Sequence, residues 1–170
     1  MRRHEGLVAA YLDRLEAEAE ALAQRFPGPL ETVYLGGGTP SQLTDAELGR
    51  IVAALGRAWG WPAALETTLE ADPLTFDRSR LQTFRALGFS RLSIGLQSSQ
   101  DPVLRFLGRR HDGAQGLSAV TAALGAGFEV SADLITAVPG QDAERDLHAL
   151  FLNDTATTEI YTLTIEPHTP

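Results

Sequence analysis

Five short segments of strand character, Thr32–Leu35, Glu66–Glu70, Arg91–Gly95, Glu129–Leu134 and Ile160–Ile165, alternate with stretches long enough for a helix. Parallel neighbours need a crossover of roughly a dozen or more residues, usually a helix, whereas antiparallel neighbours close through a tight turn. The alternation therefore predicts an α/β fold built on a parallel sheet. Helices are expected at Asp45–Trp59, Asp77–Leu87, Asp101–Leu107, Gly113–Ala126 and Ala143–Leu150. Thr44 and Glu47 make a capping box before the first of these, and Gly88 and Gly127 stand where two others end. Ahead of them all, Leu7, Val8, Tyr11, Leu12, Leu15, Ala19 and Leu22 recur at helical spacing, an amphipathic helix stopped by Pro27-Gly28-Pro29. Opening on a helix, the chain reads as a βα series from which a preceding strand has been cut away.

With 170 residues, 44% of them hydrophobic and 21% charged, the chain has enough apolar material for one packed domain. No apolar run approaches the roughly 20 residues of a membrane-spanning helix, and Met1 to Glu5 is basic and polar without a signal-type apolar segment behind it, so a cytoplasmic location is expected. The formal charge of −8 argues against a general nucleic-acid binder, which must neutralise phosphates with a concentrated basic face. The one basic cluster, Arg105, Arg109, Arg110 and His111, is local. There is no cysteine, which excludes disulfides, thiolate metal sites and cysteine nucleophiles for these residues alone. His4, His148 and His168 have no metal-ligand spacing and read as surface residues.

In barrel-like α/β folds the C-terminal ends of the strands and the loops after them carry the site. The unusual residues fall there. The first strand runs into Gly36-Gly37-Gly38-Thr39-Pro40-Ser41, where glycines allow close backbone approach or positive φ and Thr39 offers a hydroxyl. This loop is neither the dinucleotide fingerprint nor a phosphate loop, since it lacks both the third spaced glycine and the Gly-Lys-Ser/Thr ending. The next strands end in Glu70-Ala71-Asp72-Pro73, in Gly95-Leu96-Gln97-Ser98 and in Asp133-Leu134-Ile135, the last followed by Pro139-Gly140-Gln141. Glu70, Gln97 and Asp133 are expected on one rim beside the glycine loop; singly, each has the plainer reading of a helix cap or a water ligand. Asp72, before Pro73, reads as a turn residue, and Arg105 and Arg110 as charges at a solvated helix end.

Taken in order, Tyr34-Leu35-Gly36-Gly37-Gly38-Thr39-Pro40-Ser41, Leu69-Glu70-Ala71-Asp72-Pro73, Gly88-Phe89-Ser90-Arg91-Leu92-Ser93-Ile94-Gly95-Leu96-Gln97-Ser98, Leu107-Gly108-Arg109-Arg110-His111, Asp133-Leu134-Ile135 and Pro139-Gly140-Gln141 resemble the radical-SAM family of coproporphyrinogen III oxidase-like proteins across nearly the whole chain. That resemblance implies a partial parallel (β/α)6 barrel, with residues 1–170 an incomplete core domain lacking the first strand and cluster loop. In the family a Cys-x-x-x-Cys-x-x-Cys loop ligates a 4Fe-4S cluster, and S-adenosylmethionine bound to its open iron yields a 5′-deoxyadenosyl radical. By resemblance, Gly37, Gly38 and Thr39 hold the methionine end of the cofactor, while Glu70, Gln97, Arg109 and Asp133 line its binding region. The cluster ligands are absent here, which implies that these residues alone are inactive and that the sequence is truncated at both ends.

Two branches stay open. The wording Leu-Gly-Arg-x-His and Gly-Gly-Gly-Thr-Pro-Ser is more similar to the haem chaperone branch, which binds haem and delivers it to respiratory proteins, than to the oxygen-independent oxidase that decarboxylates a porphyrinogen. The chain departs from the family at Thr136-Ala137-Val138-Pro139, where Tyr-Gly-Leu-Pro is usual. Asn153–Leu163 resembles a peptide translated from sequencing-adapter DNA and is assigned no function, whereas Thr164-Ile165-Glu166-Pro167 fits the family's last strand motif.

Overall fold

The computed structural model describes residues 5–62, 65–151 and 158–164. Helix α1 (Glu5–Arg25) precedes β1 (Thr32–Leu35), a 3-10 turn at Pro40–Gln42 and α2 (Asp45–Trp59). Then follow β2 (Glu66–Ala71), α3 (Arg78–Ala86), β3 (Arg91–Gln97), α4 (Asp101–Phe106), α5 (Gly113–Gly125), β4 (Glu129–Thr136), α6 (Ala143–Phe151) and β5 (Thr158–Thr164). The strands form one sheet in the order β1-β2-β3-β4-β5, every pair parallel, as the alternation predicts. Element boundaries move by a few residues, chiefly because β2, β3 and β4 run on past the expected ends to Ala71, Gln97 and Thr136. β5 begins within the stretch left without a function, and its expected last residue, Ile165, lies outside the described residues, as do His4 and His168.

The helices start where the sequence provides caps. Thr44 and Glu47 complete the capping box of α2, Asp112 and Gln115 do the same for α5, and Asp77 caps α3 by accepting from the Arg80 amide. Each such cap satisfies amide donors that have no partner within the helix.

Alternation along the strands then sorts the sheet into two faces. Val33, Leu69, Leu92, Ile94 and Val130 are buried, and the last four pack with Leu48 of α2, Leu81 and Phe84 of α3 and Val120 and Ala123 of α5. Phe84 and Phe89 meet edge to face within this core at 6.4 Å. The intervening positions are polar or small: Tyr34 on β1, Thr68 and Glu70 on β2, Ser93 and Gly95 on β3, Ser131 and Asp133 on β4. Register aligns Glu70 with Ser93 and Ser93 with Ser131. One face thus carries the core and the other carries the chemistry.

Candidate functional site

Gly38, Thr39, Glu70, Gln97, Arg109 and Asp133 line a single cleft of about 210 Å³, together with Ala71, Asp72, Ser93 and Gly95. Gly37 stands behind it, its amide donating to Glu70 Oε2 at 2.9 Å. Gly37 and Gly38 have φ of +84° and +65°, the left-handed region in which a Cβ is strained, so the turn over the cleft calls for glycine at both positions. Thr39 directs its hydroxyl back to the Gly38 carbonyl at 2.7 Å, and Ser41, buried, bonds Thr75 at 2.6 Å.

Glu70 joins the glycine loop to the sheet. Its Oε1 accepts from Tyr34 Oη at 2.8 Å while Oε2 holds the Gly37 amide. Burial, and then the bond to Glu70, push the Tyr34 phenol above its ordinary value. Asp133 accepts from Ser93 Oγ at 3.1 Å. Burial raises its carboxyl, the Ser93 hydroxyl pulls it back, and the negative charge of Glu70 raises it again, so the net shift is upward.

Arg109 reaches the cleft from the loop after α4. Its Nη2 donates to the Gly95 carbonyl at 2.9 Å and lies 3.4 Å from Asp72 Oδ2, while its buried Nε has no hydrogen-bond partner. Arg105 and Arg110 are exposed, as expected of a solvated helix end, and so is His148. His111 behaves differently from the rest of the basic cluster: it is only 3% exposed, with Nε2 3.1 Å from the Leu96 carbonyl, a bond in which the imidazole nitrogen must donate.

Asp72 does serve its turn, accepting from the Leu74 amide at 3.0 Å, but its other oxygen faces Arg109 on the cleft wall. Sequence reasoning missed that second role, along with Ser93 and Gly95. The period of two along β2 and β3 could have found the latter pair, since both share a face with Glu70.

The wall therefore sets three carboxylates, Glu70, Asp72 and Asp133, against one guanidinium. It suits a ligand that brings positive charge and several N–H or O–H donors, plus one acceptor or anionic group for the Arg109 guanidinium. S-adenosylmethionine, with its sulfonium, ammonium, ribose hydroxyls and carboxylate, fits that donor set. An iron–sulfur cluster does not fit the residues present: the sequence has no cysteine, and among the described residues no group of three or more His, Asp or Glu is placed to hold a metal ion. None of the described helices is long and apolar enough to cross a membrane.

Residues 3–152 match the radical SAM superfamily, so the chain belongs to that superfamily. Within it, the chain is 36% identical over 170 residues to Heme chaperone HemW of Synechocystis sp., covering 97% of this chain and 41% of that protein. It is 30% identical over 168 residues to Heme chaperone HemW of Bacillus subtilis, covering 95% and 44%. Among solved structures, coproporphyrinogen III oxidase (HemN) from Escherichia coli, described as a radical SAM enzyme, superposes with a TM-score of 0.82 at 28% identity, covering 95% of this chain and 38% of that one. The chain thus spans about two fifths of the length of these relatives.

Proposed function

We propose that residues 1–170 act as one S-adenosylmethionine-binding core domain of a haem chaperone, with the cofactor in the cleft at the strand ends. The observation that carries the chaperone reading is the 36% identity to Heme chaperone HemW of Synechocystis over 97% of the chain. The cofactor reading is supported by the acidic wall and the Arg109 guanidinium beside it.

In this reading the Gly37-Gly38-Thr39 backbone holds the methionine end. Arg109 pairs with the carboxylate, Glu70 and Asp133 accept from the amine or the ribose, and Gln97 makes its contact from the end of β3. When bound, S-adenosylmethionine is the source of the radical chemistry for which the superfamily is named. The work of this chain's own residues is to place and orient. Glu70 keeps the glycine loop against β2, and Asp72 with the Gly95 carbonyl holds the guanidinium at the cleft wall. The three carboxylates favour a cationic ligand over a neutral one of the same shape. A 4Fe-4S cluster needs ligands these residues do not provide, and no step is assigned to it.

Haem or a porphyrinogen is the second ligand in this proposal, a haem-accepting respiratory protein the partner, and the cytoplasm the compartment. The second reading, an oxygen-independent coproporphyrinogen III oxidase, is favoured by the TM-score of 0.82 to the Escherichia coli oxidase. Calorimetric titration of S-adenosylmethionine into the chain tests the cleft, and absence of saturable heat rejects it. In a protein of the relatives' full length, haem capture and transfer without loss of carboxylate from coproporphyrinogen is the expected result; decarboxylation selects the oxidase.

A further inference from the structure

Gln97 is a non-glycine residue at φ +65°, and it lies where the β3–β4 register shifts, between Ile94 and Gln97. A side chain in the left-handed region is strained and persists only where its surroundings impose it. Across Gln97 the Ser98 amide donates to the Leu96 carbonyl at 2.8 Å, and Gln97 itself pairs with Leu134 of β4; around that turn lies a second polar cluster, outside the cleft. Asp146, in the first turn of α6, is 1% exposed and makes no contribution to the cleft lining. Its Oδ1 accepts from the Ser99 amide at 2.7 Å, from Ser99 Oγ at 2.7 Å and from Ser98 Oγ at 2.9 Å, while Oδ2 accepts from Ser98 Oγ and from Gln141 Nε2, each at 2.9 Å.

One carboxylate therefore grips the two residues that follow Gln97. Gln100 adds a second tie, its side-chain amide donating to the Asp142 carbonyl at 2.7 Å and accepting from the Asp142 amide at 3.3 Å. On the other side of Gln97, the Leu96 carbonyl accepts from His111. Burial alone raises the Asp146 carboxyl, and the bonds from Ser99, Gln141 and Ser98 more than offset this, so it sits below its ordinary value and stays ionised.

We propose that Asp146 is a positioning residue for the cleft: by fastening Ser98 and Ser99 to α6 it imposes the left-handed turn that directs Gln97 at the bound ligand. The proposal rests on the cofactor reading for its ligand, but not for its geometry. Asp146→Asn keeps the side chain's shape while setting an amide donor against either the Ser99 donors or Gln141 Nε2, a mismatch that cannot be relieved by flipping the new amide.

The test has two arms on the 170-residue chain. In the first, carbon-13 shifts of Gln97 report its backbone region and hydrogen exchange reports the Ser99 amide, both without ligand. Asp146→Asn is expected to move the Gln97 shifts toward ordinary extended values and to speed Ser99 exchange; unchanged Gln97 shifts in a folded variant overturn the proposal.

In the second arm, S-adenosylmethionine is titrated into the unaltered chain, Asp146→Asn, Gln97→Ala and the double variant. Each single change is expected to weaken binding about tenfold, with the double variant no weaker than the worse single one, because both remove the same contact. Additive losses would show that Asp146 acts by a general loosening of the fold, and would overturn the proposal. Should Asp146→Asn fail to fold, Ser99→Ala removes one bond to the same carboxylate and is expected to weaken binding about threefold and to shift Gln97 in the same direction; no shift overturns it. If the unaltered chain takes up no S-adenosylmethionine, the cofactor reading alone falls, and the first arm decides the role of Asp146.

Discussion

Gly95→Ala separates the cleft's function from the stability of the fold. Gly95 lies in β3, and its φ is not positive, so the backbone itself accepts a side chain. A Cβ there would stand 2.9 Å from Gln97 Nε2 and 3.1 Å from Arg109 Nη2, with the Ala71 carbonyl at a comfortable 3.9 Å. Both close atoms are the ends of flexible side chains, so the side chains should yield and the sheet should not. What yields is the pair assigned to the ligand. Displacing Arg109 from a ligand carboxylate removes a charge-assisted hydrogen bond worth about 1.5–3 kcal/mol, or roughly ten- to a hundredfold in affinity.

Stability should barely change. Replacing glycine where the backbone permits gains about 0.4–1 kcal/mol by restricting the unfolded chain, which offsets the displaced contacts. The control is Gly49→Ala in α2, whose Cβ meets only Leu87 Cδ2, at 3.8 Å; there a gain of up to about 1 kcal/mol and unaltered binding are expected. Titration calorimetry with S-adenosylmethionine and thermal unfolding of both variants read the two quantities independently. A folded Gly95→Ala chain that binds with full affinity would refute the reasoning, because neither Arg109 nor Gln97 could then be touching the ligand.

Arg109→Ala should weaken cofactor binding ten- to a hundredfold by the same charge-assisted bond, while exposed Arg110→Ala leaves it unchanged; equal effects in the titration would show that Arg109 does not touch the ligand. Asp133 has a raised carboxyl, so the stability tied to its protonated form is fully present below the unfolded value of about 3.9 and is lost as pH rises through the higher folded value. Urea midpoints of Asp133→Asn should therefore gain on the unaltered chain between pH 4 and 7, and a constant difference would contradict the shift. Asp146 carries the opposite sign: its lowered carboxyl adds stability that is present above the unfolded value and lost as pH falls through the folded one, so the cost of Asp146→Asn should shrink in acid. Anaerobic iron and sulfide should give the chain no stable cluster absorbance, since it has no thiolate; a stoichiometric cluster would sink that expectation.

The βα order was legible because it rests on local signals: a capping box at Thr44, glycines after the helices, and apolar runs on strands whose core face is buried. What was not legible came from contacts distant in sequence. Asp72-Pro73 carries the signature of a turn, and the turn is there; its second oxygen meets Arg109, 37 residues on, which no local pattern announces. His111 stands in the sequence only as part of a local basic cluster, yet the chain turns at Gly108 with φ +68° and carries it beneath the end of β3. Asp146, in the amphipathic α6, has the look of a first-turn surface acid. The left-handed Gln97 has no signature, because glutamine has no preference for that region and what holds it there is the turn bond from the Ser98 amide to the Leu96 carbonyl, the pairing with Leu134 and the contacts of its neighbours.

The strongest pointer to function is a property that strands β1 to β4 share. All-parallel sheets are covered on both faces and so carry apolar residues on both. Here the second face carries Thr68, Glu70, Ser93, Ser131 and Asp133 instead, and their bonds are largely among themselves or to the glycine loop, as Tyr34 to Glu70, Ser93 to Asp133 and Gly37 to Glu70. Hydrophobic burial gains nothing from residues of this kind, and two carboxylates close enough for Glu70 to raise Asp133 cost stability at neutral pH. A core alone would be better served by valine at each of these positions. The arrangement makes physical sense when the face has a polar, positively charged occupant whose donors meet those carboxylates, and the sheet's own departure from apolar burial thus selects the same ligand chemistry as the cleft wall does.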